Sequence, residues 1–124
     1  MIDRQGLFVS GDLMLGVPVL SAMETVCTNV SRILSGKTLL HRLQSQPVDL
    51  LVVDLEANDL DLKAIGDVIR QHGRPMTVAY APHVATARLA AAQEAGFAAV
   101  LTRGQAASQL PAILASLLGT APSE

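Results

Sequence analysis

At 124 residues, half of them apolar, the chain is sized for one domain around one core, read as 1–124 with the core over about 7–118. Aromatic residues make up 2% and tryptophan is absent, so that core is built from Leu, Val, Ala, Ile and Met. A net charge of -2 with no basic run argues against nucleic acid, whose phosphates call for clustered Lys and Arg, and a single cysteine excludes an internal disulfide and fits a reducing, cytoplasmic setting.

The first six residues carry charge ahead of any apolar run, unlike a signal peptide. The longest apolar run, 13–20, is interrupted by Gly16 and Pro18 and is too short to cross a bilayer, so no membrane role is expected. Leu7, Phe8, Val9 and Ser10 read as a buried first strand that ends at Gly11 and Asp12. Proline is tolerated in a first helical turn, and Pro18 therefore places the first helix at 16–26. A second strand covers 28–33. Ser35 then serves as N-cap for a helix over 36–44, with Leu39, Leu40 and Leu43 on one face and Pro47 beyond its end. The sequence Ser35-Gly36-Lys37-Thr38 contains the Gly-Lys-Thr of a phosphate loop, but Ser31 stands where that motif requires glycine, and the cap is the better reading.

The stretch from Val48 to Glu56 organises the rest. Four apolar residues in a row, Leu50-Leu51-Val52-Val53, suit a strand buried on both faces of a parallel sheet. Asp54 follows at once, at the C-terminal edge where open α/β sheets bind ligands; its plainer role is a strand-end acceptor for loop hydrogen bonds. Asp59 or Asp61 can cap a third helix marked by Leu62, Ile65, Val68 and Ile69 and stopped by Gly73. A fourth strand spans 76–80. An alanine-rich helix runs over 84–95 to Gly96, and a fifth strand occupies 98–101. Ser108 and Pro111 mark the start of a last helix ending near Leu118, and 120–124 reads as a frayed tail.

Five strand–helix alternations with short connections predict an α/β three-layer sandwich, with five helices covering both faces of a five-stranded parallel sheet through right-handed crossovers. If the strand order is flavodoxin-like, 2-1-3-4-5, the switch point lies between strands one and three, and Asp12, Asp54 and the loops after strands four and five then converge on one crevice. His83, after Pro82, falls on the same edge, as a solvated loop histidine or as a metal ligand beside Asp12 and Asp54.

Nearly the whole chain resembles the receiver domain of two-component response regulators. Asp49-Leu50-Leu51-Val52-Val53-Asp54-Leu55 is similar to the family's third strand, with Asp54 on its phospho-acceptor position. Glu94-Ala95-Gly96 and the run through Thr102-Arg103-Gly104 resemble the acidic-Ala-Gly turn, strand and Thr-Lys-Pro of the family. The resemblance implies a phosphoryl group accepted on Asp54 and a Mg²⁺ ion held by carboxylates. The departures imply a degraded, pseudo-receiver form. Ser10-Gly11-Asp12 supplies one acid where the family has a pair; Tyr80 stands for a small hydroxyl residue; Arg103 replaces Lys; Val100 replaces the aromatic switch residue. Asp12, Asp54 and, if it turns inward, Glu56 are the candidate ligands of a weak Mg²⁺ site, and no other cofactor is expected. Arg103 can pair with a phosphate, but its planar fork is no direct substitute for an ammonium.

Three functions follow. The first is a stand-alone signalling module that acts on a protein partner, a histidine kinase or a downstream regulator, through the face formed by helix 4, strand 5 and helix 5, which is also a candidate homodimer surface. The second is a phosphorylatable receiver in a phosphorelay; beyond phosphoryl acceptance on Asp54 no enzymatic activity is expected. The third is an unrelated flavodoxin-like enzyme or ligand binder, for which the sequence offers no dinucleotide fingerprint and no nucleophile–base pair.

Overall fold

The computed structural model describes residues 3–119. The strands are β1 (Gln5–Val9), β2 (Asn29–Ile33), β3 (Leu50–Asp54), β4 (Met76–Ala81) and β5 (Ala99–Thr102). They form one parallel sheet, as the alternation of elements predicts, in the flavodoxin-like order β2-β1-β3-β4-β5. The helices are α1 (Leu13–Glu24), α2 (Leu39–Ser45), α3 (Leu62–His72), α4 (Thr86–Ala95) and α5 (Arg103–Leu118). Side chains alternate between the faces of a strand, so the wholly buried β3 feeds two cores. Leu51 and Val53 join Leu7, Val9, Leu39, Ile65 and Ala92 under α2, α3 and α4. Leu50 and Val52 join Phe8, Val19, Met23, Val78, Leu110 and Leu114 under α1 and α5. No helix of the described residues is long and apolar enough to cross a membrane.

Two helix starts differ from the sequence expectation. Helix α1 begins at Leu13, not 16, because Asp12 caps it: its carbonyl accepts from Gly16 N–H (3.1 Å) and its Oδ1 from Met14 N–H (3.0 Å). Pro18 therefore lies inside the helix, on its exposed side, where the carbonyl it leaves unpaired can turn to water. Helix α5 begins at Arg103, well ahead of Ser108. Thr102 caps it, and Gln105 returns the bond to the Thr102 N–H, a capping box across the strand–helix junction. Pro111 is likewise interior and exposed.

Elsewhere the differences are of one or two residues. Ser35 caps a 3-10 turn, Gly36–Thr38, that leads into α2. Asp61, not Asp59, caps α3 through Ala64 N–H (3.0 Å). Gly73 and Gly96 end α3 and α4 in the left-handed conformation. The tail over 120–124 lies outside the described residues.

Candidate functional site

The register of the central strands builds the site. Val9 pairs with Val53, and Asp54 with Tyr80, so the residues that follow β1 and end β3 and β4 meet at one edge. Ser10, Asp54 and Tyr80 continue the alternation of Phe8, Val52 and Val78, on the α1/α5 side. All three are buried, and Asp54 keeps only 3% exposure.

A carboxylate this deep must be hydrogen-bonded. Asp54 Oδ2 accepts from the Ser10 hydroxyl at 2.8 Å and Oδ1 from the Glu56 N–H at 3.0 Å. Ser10 is itself fixed from three directions. Its N–H donates to the Ile33 carbonyl (3.0 Å), and its hydroxyl accepts from Asp12 N–H (3.0 Å). Its carbonyl accepts from Arg32 Nε (3.3 Å) and Nη2 (3.1 Å). The Arg32 guanidinium reaches that carbonyl from β2 by lying over the Phe8 ring, 5.9 Å from its centroid. Sequence reasoning missed Ser10 and Arg32. Ser10 reads as no more than the end of the first strand, and only the register of β1 against β2 and β3 reveals their reach.

Tyr80 closes the inner side. Its ring packs at 6.4 Å from Phe8, and its hydroxyl is buried with no hydrogen-bond partner among the described residues. Burial, and then the charge of Asp54, push the phenol's pKa far up; the Ser10 hydroxyl, near but not in hydrogen-bonding geometry, opposes this weakly. Arg103 pairs with the Glu56 carboxylate, whose other oxygen lies 3.5 Å from Arg88. Among the described residues Arg103 makes no ion pair with Asp54. Val100 packs half-buried against the α2–α4 core, and His83 is exposed in the loop after β4.

Toward solvent, Gly11, Asp12, Leu34, Asp54, Glu56, Ala57 and Asn58 line a shallow cavity of about 190 Å³. Asp12 and Asp54 thus share a pocket. Mg²⁺ asks for near-octahedral oxygen ligands, usually carboxylates with water. Here one Asp12 oxygen caps α1, both Asp54 oxygens accept internal hydrogen bonds, and Glu56 faces two arginines. No three His, Cys, Asp or Glu among the described residues come together as a metal-holding group. The pocket thus offers the carboxylates of Asp12 and Asp54, with Glu56 already paired to arginines.

No protein-family model matches the chain, and no curated protein matches it. Solved structures do. The BeF3-activated receiver domain of DrrB from Thermotoga maritima superposes with a TM-score of 0.78 at 14% identity, over 95% of this chain and 99% of that one. A putative response regulator from Chloroflexus aurantiacus gives 0.77 at 18% identity, over 95% and 99%. The RcsB response regulator of Salmonella typhimurium gives 0.74 at 16% identity; 96% of this chain is covered, but it spans only 61% of RcsB. The chain has the flavodoxin-like fold of response-regulator receiver domains.

Proposed function

We propose that this chain is a receiver-like signalling module that acts on a protein partner by association, with a phosphorylation site at Asp54 that no longer works efficiently. One observation carries the reading: both carboxylate oxygens of Asp54 are committed to internal donors, Ser10 and the Glu56 backbone. A carboxylate attacks phosphorus in line with a free oxygen while charge on the transferred group is neutralised nearby. Here each oxygen of the nucleophile already holds an internal donor that damps its attack, the cation is turned to Glu56, and a buried ring occupies position 80. The surface left to communicate is that of α4, β5 and α5. On it Ser108, Gln109, Ala112, Ile113, Ser116 and Leu117 of α5 frame an open groove of about 420 Å³. A kinase or downstream regulator in a reducing, cytoplasmic compartment, or a second copy, would engage there.

Treatment with acetyl phosphate and Mg²⁺, read by intact mass, tests the site. The expected result is no phosphoryl adduct. An adduct lost in Asp54→Asn would replace this reading with that of a working phospho-acceptor, which the pocket shared by Asp12 and Asp54 favours.

A further inference from the structure

Arg88 lies in the first turn of α4 and Arg103 opens α5, and neither first turn holds an acidic residue. The helix macrodipole disfavours a cation at an N-terminus, so each arginine stands at the wrong end of its helix. Glu56 supplies the missing negative charge to both. Its backbone is pinned by the hydrogen bond to Asp54, and its two carboxylate oxygens face one arginine each. A single side chain thus joins the loop after β3 to two helices that flank β5.

We propose that Glu56 is a built-in counter-charge, strapping the β3–α3 loop to the first turns of α4 and α5, so that this surface keeps one conformation whatever the state of Asp54. In such a molecule Arg103 answers to a permanent carboxylate instead of a transient group on Asp54. The inference deepens the receiver-like reading, on which it rests for the surface a partner would see; the strap itself stands on the two ion pairs.

Hydrogen exchange of the whole chain, without any phosphodonor, tests it independently of whether Asp54 accepts a phosphoryl group. Glu56→Gln keeps the side-chain shape and the backbone bond to Asp54 but removes the charge. Amides at 89–92 and 105–108, whose hydrogen bonds close the two first turns, should then exchange about three- to tenfold faster, while those of β1 and α1 stay unchanged. Wild type in about 1 M salt should move the same way, because half-exposed pairs are screened. Asp54→Asn, with Glu56 intact, should leave both turns at the wild-type rate. Rates within about 1.5-fold of wild type in Glu56→Gln, a uniform acceleration across all segments, or a change of both turns in Asp54→Asn would each overturn the strap.

Discussion

Ser10 shows how one small side chain sets the character of an acidic pocket. Its hydroxyl satisfies Asp54 and Asp12 N–H together, so Ser10→Ala leaves a buried carboxylate oxygen and a backbone donor short of a partner. The expected loss is about 1–3 kcal/mol, read as a lower urea midpoint. Tyr80→Phe should act in the opposite sense. Among the described residues the buried phenol oxygen has no partner, so removing it should leave the midpoint unchanged or raise it; a loss above about 1 kcal/mol would mean that the hydroxyl is paired. Burial pushes the Cys27 thiol from 9.0 up to about 11, and the Tyr80 phenol upward too. The unfolded chain therefore releases these protons first, and stability should fall as pH rises from about 9 through 11. Urea midpoints across that window check this, and Cys27→Ala should flatten the lower part of the decline. Asp54 was legible in the sequence because an unbroken apolar run ends on it. Arg32 and Ser10 were not, since their contacts cross strands far apart in the chain.

Among the elements, strands and helix stops were readable, as were the caps Ser35 and Asp61, but the starts of α1 and α5 were not. Gly73 and Gly96 announce themselves because only glycine enters the left-handed conformation without cost. The start of α5 was hidden by proline: Ser108 and Pro111 imitate an N-terminus, while the working signal is the reciprocal pair Thr102 and Gln105 at a position that also reads as strand. Thr102→Ala should cost about 1 kcal/mol and show as fraying of the first turn of α5 in hydrogen exchange. The seam between α3 and α4 rests on Gly66, where an added Cβ would lie 2.6 Å from the Ala95 carbonyl oxygen. Gly66→Ala should therefore destabilise by about 1–3 kcal/mol despite its better helix propensity, measured by thermal unfolding.

For the molecule as a whole, five alternations with short connections were enough to predict a parallel sheet covered on both faces, and with the receiver resemblance of the Asp54 strand and of the stretch from Glu94 to Gly104 they gave its order. They brought Asp12 and Asp54 to one pocket. What they could not foresee is where Glu56 and Arg103 would turn, because long side chains choose partners only once the loops are in place. If α4, β5 and α5 present a self-association surface, sedimentation velocity at rising concentration should show a dimer; a monomer throughout would restrict that face to a different partner. Finally, the chain has no tryptophan and one tyrosine, and that tyrosine is sealed against Asp54 and Phe8. Its near-ultraviolet absorbance and intrinsic fluorescence therefore come almost entirely from a single chromophore buried behind the pocket, so partner binding that disturbs this edge can be followed optically without attaching a label.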